Sequence, residues 1–314
     1  MALDFPGHGL SGHKSVDGPP QLLAEYAYYV AELVEALQWD KGTGSGGGVG
    51  VSRTVVGNIN SNTKTDGDRE GNVNKQPGTE IIDDNKADDE KNKIVLIGHS
   101  MGSGVSTVLC AAFPEWFSAL VLLEGGLIAR NSNDASRHVR AAVQRRLKSN
   151  RTLFPNGSRG TDGEMPRAKV YSNLDAAIEA RLSTTRRMPG DQFLSYEAAT
   201  DMVMRASVPA PASANSEAVV FIHDPRLQWP SLQYYTREQV EAFFRDVHAS
   251  NVPVCVLRAE DGWPADEWAK SVVETVLKPG YIRKLSGSHH FHADPDSASS
   301  VAQEIVTFLK EKEL

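Results

Sequence analysis

The sequence predicts an α/β fold in which a mostly parallel sheet is covered by helices on both faces. Continuous apolar runs at residues 94–97, 119–123 and 252–257 are typical of strands buried on both sides. Segments with apolar residues at helical spacing alternate with these runs, which indicates strand–helix–strand units. Residues 127–249 then show little strand character, and we expect them to form a helical cap over the sheet.

Length and composition restrict the class of protein. The 314 residues suffice for one large domain with a cap, and 40% of them are hydrophobic. A formal net charge of −7 argues against nucleic acid or an anionic membrane as the main partner. The sequence contains no apolar run of transmembrane length and no signal-peptide pattern, so an intracellular, cytoplasmic location is expected. Cys110 and Cys255 lie in apolar segments, where buried free thiols are expected.

The core is predicted to comprise residues 1–40, 94–126 and 250–314. Residues 1–5 resemble the end of a strand, and a helix is expected from about 20 to 39. The stretch 41–93 is rich in Gly, Asn, Asp and Lys, and its composition predicts a disordered insert. The later elements are predicted as helices at 101–112, 136–147, 174–187, 196–206, 265–277 and 296–311, and as strands at 119–124, 252–258 and 280–285.

Residues 98–102 read Gly-His-Ser-Met-Gly and follow the apolar run 94–97 directly. A strand that turns through Gly-x-Ser-x-Gly into a helix is a nucleophile elbow, in which the serine occupies a strained backbone position. We expect both glycines to be required because a Cβ at either position would meet a neighbouring element. Ser100 is therefore the candidate nucleophile, and the backbone N–H of Met101, at the helix start, is a candidate oxyanion donor.

A serine nucleophile needs a base, and in this arrangement the base comes late in the chain. Residues 287–292 read Gly-Ser-His-His-Phe-His, between the last short strand and the last helix. We favour His289 as the base, with His290 as the next candidate and His292 as a residue that orders the loop. A metal site at these histidines is the weaker interpretation because no cysteine lies nearby. No metal and no cofactor is expected.

Two carboxylates compete to orient the histidine. Asp261 lies just past the strand at 252–258, and Glu124 ends the strand that follows the nucleophile. The sequence leaves the choice open.

A second oxyanion donor normally comes from a loop after an earlier strand, and we expect the N-terminal strands of the fold to be missing from this chain. His8-Gly9 follows a later turn and is not expected to supply that donor.

These motifs resemble the α/β-hydrolase superfamily, and in particular the serine hydrolase-like protein family. The similarity includes the turn at 4–11, the elbow, the run Asp-Pro-Arg-Leu at 224–227 and the run Arg-Ala-Glu-Asp-Gly at 258–262. The resemblance implies an α/β-hydrolase fold and hydrolysis of small ester-like molecules by a Ser-His-acid triad. A peroxisomal location is also implied by the family, although the C-terminal Lys-Glu-Leu is not a matching signal.

The functional hypothesis is therefore a serine hydrolase that acts on a small-molecule ester through an acyl-enzyme. The alternative is an inactive or truncated relative that binds a small apolar ligand beneath the cap. A perhydrolase or a carbon–carbon hydrolase would be served by the same triad.

Overall fold

The computed structural model describes residues 1–12, 22–37, 39, 94–154, 168–210 and 216–314, and the predicted insert at 41–93 lies outside these described residues. In chain order the helices and strands are α1 (Leu23–Ala36), β1 (Ile94–His99), α2 (Met101–Ala112), β2 (Phe117–Leu123), β3 (Ala129–Arg130), α3 (Ala135–Leu153), β4 (Val170–Tyr171), α4 (Leu174–Arg186), α5 (Tyr196–Ala206), β5 (Ser207–Pro209), β6 (Val219–Phe221), β7 (Tyr235–Thr236), α6 (Arg237–Ala249), β8 (Val254–Asp261), α7 (Glu267–Val272), β9 (Tyr281–Ser288) and α8 (Pro295–Glu311).

The central sheet has the order β1-β2-β8-β9, and all three strand pairs are parallel. Helices connect these strands and cover the sheet, which confirms the predicted fold class. All carboxyl ends of the strands consequently lie at one edge of the sheet, where open α/β sheets place their ligands.

The side chains of β2 alternate between two apolar clusters, one on each face of the sheet, because successive strand residues point to opposite sides. On one face Leu120 and Leu122 join residues of α1, α2 and α6, and on the other face Val121 joins residues of α8. Cys110 belongs to the first cluster and Cys255 to the second. Both are buried free thiols, as predicted, and the sheet lies between them.

The segment 127–249, which we call the cap segment, contains its own apolar cluster. Helices α4 and α5 pack together through buried residues that include Ile178, Ala199 and Val203. Strands β4, β6 and β5 form a small antiparallel sheet beside them. Helix α6, at the end of this segment, packs against α2 and shares the core cluster instead. No helix among the described residues combines the length and apolar character needed to cross a membrane.

Residues 1–5 do not form the expected end of a strand, and turns follow them at residues 6–10. Their hydrogen bonds are made locally, since the Asp4 carboxylate accepts the N–H of Leu10 at 3.0 Å and the hydroxyl of Ser11 donates to the Asp4 carbonyl. Phe5 packs edge-on against Tyr26 of α1 at 5.0 Å between ring centres. With its hydrogen bonds satisfied within the turn, this segment does not pair with β1, which is an edge strand among the described residues.

Candidate active site

Three of the predicted site residues directly follow strands of the sheet. Ser100 follows β1, Glu124 follows β2 and His289 follows β9. The register pairs His99 with Leu123, the residues just before Ser100 and Glu124. Because the strands are parallel, the three side chains meet at one edge of the sheet.

Ser100 has the backbone geometry of a nucleophile elbow, with φ of 52° and ψ of −117°. This left-handed region is costly for a residue with a side chain, so the surrounding contacts must hold it. Gly98 is required for space, since a Cβ there would lie 2.5 Å from the carbonyl oxygen of Gly102. The same expectation for Gly102 is wrong because its Cβ position is open. Helix α2 begins at Met101, whose N–H is among those at a helix start without an intrahelical acceptor.

His289 lies between the serine and a carboxylate. Its Nε2 is 2.8 Å from Ser100 Oγ, and its Nδ1 is 3.5 Å from Glu124 Oε2. The His289 and Glu124 side chains are only 8% and 5% exposed, so solvent screens their interaction weakly. A proton on Nδ1 faces the carboxylate and leaves the Nε2 lone pair free to accept the serine proton.

The structure brings Glu124, and not Asp261, to the histidine. Backbone N–H groups of Ala259 and Trp263 donate to the two Glu124 carboxylate oxygens at 2.6 and 2.8 Å. Gly262 permits this close approach, since a Cβ there would lie 2.2 Å from Glu124 Oε2. Asp261 itself is exposed at the irregular end of β8. The 259–263 loop therefore wraps around Glu124 with its backbone.

Three further histidines pack behind the site. His99 donates from Nε2 to the backbone carbonyl of His289 at 2.7 Å and fixes the position of that loop. Burial lowers the pKa of His99 to about 2, and the neighbouring His292 contributes to the shift. Burial also lowers the pKa of His290 to about 3, with a contribution from Arg181, and that of His292 to about 4. All three rings are therefore neutral at pH 7.

His99, His290 and His292 are also the residues that could hold a metal ion, because one ring nitrogen from each lies within 4.8 Å of the others. Their neutral state suits metal ligation. The Arg181 guanidinium, however, lies 3.1 Å from His290 Nε2. A positive charge at this distance opposes a second cation, so the electrostatics disfavour a metal at this cluster.

The cap segment is joined to both loops of the candidate site through Gln192, a residue that no sequence motif points to. Its buried amide donates from Nε2 to the carbonyls of Asp261 and Gly262 at 2.8 and 2.9 Å, and its Oε1 accepts the N–H of His289 at 3.0 Å. A further contact joins the Asp294 carboxylate to the Ser195 N–H at 2.9 Å. Gln192 is not part of a recognisable sequence motif, and only the folded structure shows its hydrogen-bond partners.

The Trp263 ring lies 5.7 Å from that of His289. His8, which was not expected to take part in the oxyanion site, packs against Tyr26 of α1 at 6.1 Å between ring centres.

A parallel sheet with connecting helices, whose carboxyl edge carries a Gly-x-Ser-x-Gly turn beside a histidine and a carboxylate, is the arrangement of the α/β-hydrolase fold. Residues 90–206 match the family described as the alpha/beta hydrolase fold. The chain has the α/β-hydrolase fold.

The chain is also similar to serine hydrolase-like proteins. It is 23% identical over 327 residues to one from Danio rerio, which covers 99% of this chain and 73% of the relative. It is 22% identical over 323 residues to one from Dictyostelium discoideum, which covers 100% of this chain and 68% of the relative.

Solved structures share the fold. A hypothetical protein from Pseudomonas aeruginosa PAO1 superposes with a TM-score of 0.66 at 26% identity, covering 98% of this chain and 81% of that chain. The thioesterase domain from the curacin biosynthetic pathway superposes with a TM-score of 0.55 at 15% identity, covering 96% of this chain and 78% of that chain. Together, the fold and the named relatives support hydrolase activity in general terms.

Proposed function

We propose that this protein is a serine hydrolase that cleaves small esters or thioesters through an acyl-enzyme on Ser100. The observation that carries the proposal is the continuous arrangement of Ser100 Oγ, the His289 ring and the Glu124 carboxylate. The names of the serine hydrolase-like relatives and of the thioesterase domain with the same fold support the reaction class.

In the acylation step, Ser100 Oγ attacks the substrate carbonyl carbon while His289 Nε2 accepts the serine proton. The oxyanion that forms is stabilised by the Met101 N–H at the start of α2. As the tetrahedral intermediate collapses, the bond from the carbonyl carbon to the leaving group breaks. His289 gives its proton to the departing alcohol or thiol, and the acyl group remains as an ester on Ser100.

Deacylation repeats these steps with water. His289 removes a proton from the water, the resulting hydroxide attacks the acyl carbon, and the proton returns to Ser100 as the carboxylic acid leaves. Glu124 stabilises the transient imidazolium, and the N–H groups of Ala259 and Trp263 keep the carboxylate oriented toward the ring. We therefore assign the role of the acid to Glu124 rather than to Asp261.

The test is covalent labelling with a fluorophosphonate probe, beside hydrolysis of 4-nitrophenyl acetate. The full chain is expected to be labelled and active, and Ser100→Ala is expected to lose labelling and to lose at least about 10⁴-fold in kcat. Ser106→Ala, a buried serine on the same helix, is the matched control and should keep both properties.

If the folded wild-type chain is neither labelled nor active, the hydrolase proposal fails. The alternative, a relative that binds a small apolar ligand under the cap, would then take its place. Labelling that survives in Ser100→Ala would assign the nucleophile elsewhere.

A further inference from the structure

One charged group of the cap segment lies beside the proposed triad and has no counter-ion within the part of the chain that the structure describes. Arg181 belongs to α4, and its Nη2 is 3.1 Å from Nε2 of His290, the residue after the proposed base. The ring centres of His289 and His290 are 5.2 Å apart. The guanidinium is therefore one side chain away from the catalytic histidine.

The contacts of Arg181 leave its charge unbalanced. Nη2 meets only neutral groups, His290 Nε2 and the Met202 sulfur at 3.6 Å. Nε is buried without a hydrogen-bond partner, and no carboxylate among the described residues forms an ion pair with this arginine. Burial lowers the pKa of Arg181, but an arginine keeps its proton at neutral pH. The positive charge is thus present and uncompensated.

Arg226, a fully buried arginine of the cap segment, shows how this chain neutralises such a charge when its role is structural. Arg226 and Asp224 have side chains only 3% and 0% exposed, and Arg226 Nη2 lies 2.7 Å from Asp224 Oδ2. Arg226 Nε contacts both oxygens of the same carboxylate at 3.0 and 3.1 Å. Burying a charge without a partner is costly, so a position that keeps one points to a partner that arrives from solution.

We propose that Arg181 anchors a carboxylate of the substrate, so that the preferred substrates are esters or thioesters carrying a free carboxylate near the scissile bond. This inference rests on the proposed hydrolase function and specifies its substrate class. A carboxylate can take the Nε–H and an Nη–H of one guanidinium together, the bidentate geometry that suits arginine. The neutral rings of His290, His292 and His99 add no competing charge.

The inference predicts selectivity between two substrates that differ in one group. Mono-4-nitrophenyl glutarate carries a free carboxylate, and its methyl ester has the same acyl chain without that charge. Wild-type protein should hydrolyse the acid with a kcat/KM about 10- to 100-fold above that of the methyl ester, after subtraction of background hydrolysis. Arg181→Met should remove this preference and leave the methyl ester within about threefold of wild type.

Two further variants separate recognition from structure. Arg181→Lys keeps the charge but lacks the planar fork, so it should retain only part of the preference. Arg186→Met removes one positive charge from an exposed position on the same helix and should leave the preference unchanged. An equal loss for both esters in Arg181→Met would instead show a purely structural role and overturn the inference.

Binding of glutarate, measured by calorimetry on Ser100→Ala, tests the anchor without catalysis. Ser100→Ala should bind glutarate, and Ser100→Ala with Arg181→Met should bind it at least about tenfold more weakly. If the chain hydrolyses neither ester and is not labelled, the proposed function fails, and glutarate binding alone decides on the anchor. If labelling succeeds but glutarate binding does not depend on Arg181, the anchor is overturned and the hydrolase stands.

Discussion

The core side and the cap side of the candidate site differ in how far the charge of a buried or half-buried side chain is balanced by its neighbours. On the core side, the Glu124 carboxylate receives two backbone N–H groups and faces His289, so its charge is fully engaged. On the cap side, the Arg181 guanidinium meets only neutral acceptors among the described residues. The core side thus holds the candidate nucleophile, base and acid with their charges paired, whereas the cap side presents a charge without a counter-ion among the described residues. In the function proposed above, the core sets the type of reaction and the cap segment sets the choice of substrate.

The largest expected effect concerns the core side. Glu124→Gln should lower kcat by about 10⁴-fold, because a neutral amide neither stabilises the imidazolium nor holds the correct tautomer. Asp261→Asn should stay within about threefold of wild type, because Asp261 is exposed and its backbone, not its carboxylate, contacts Gln192. Steady-state kinetics with 4-nitrophenyl acetate measure both variants. The reverse order of effects would return the role of the acid to Asp261.

A smaller effect, on stability, compares the buried Arg226 with the half-buried Arg181. Arg226→Met leaves Asp224 buried and unpaired, and it should lower the free energy of unfolding by about 3–5 kcal/mol. Arg181→Met removes a charge without stranding another, so its free energy of unfolding should stay within about 1 kcal/mol of wild type. Urea denaturation at pH 7 provides both values. A loss of several kcal/mol in the free energy of unfolding of Arg181→Met would show that Arg181 has a structural partner.

The smallest effect concerns the pH dependence of stability. It arises in the histidine cluster, where His99 of the core packs against His290, the residue that Arg181 of the cap segment contacts. The pKa of His99 is about 2 in the folded chain, below the ordinary value of 6.5 that applies when it is unfolded. The stability that depends on a neutral His99 ring is therefore fully present above about pH 6.5, and it is lost as the pH falls toward 2. His99→Gln cannot titrate but keeps a donor for the His289 carbonyl. Between pH 6 and pH 4 the free energy of unfolding of His99→Gln should fall less steeply than that of wild type. The two slopes should differ by about 1.4 kcal/mol per pH unit. Parallel curves for the two proteins would contradict the shifted pKa.

Local patterns predicted much of the fold because strand and helix periodicities are properties of short segments. The elbow helix was predicted at 101–112 and is found at Met101–Ala112, and the terminal helix, expected at 296–311, is Pro295–Glu311. The segment 1–5 was wrong as a strand, since a strand depends on a neighbour that no local pattern specifies. The requirement for Gly102 was wrong for a similar reason, because the free space at a Cβ depends on distant atoms.

The sequence by itself determined Ser100, its elbow and the set of candidate histidines and carboxylates, since each depends on residues adjacent in the chain. Only the tertiary structure placed Glu124 rather than Asp261 beside His289, because strand register decides which carboxylate reaches the ring. It alone showed that Gln192 bridges two loops and that Arg181 has no counter-ion among the described residues. Those properties arise from residues about 70 to 110 positions apart. Contacts over such separations leave no trace in a local pattern, which is why charge balance and positioning at the site depended on the fold.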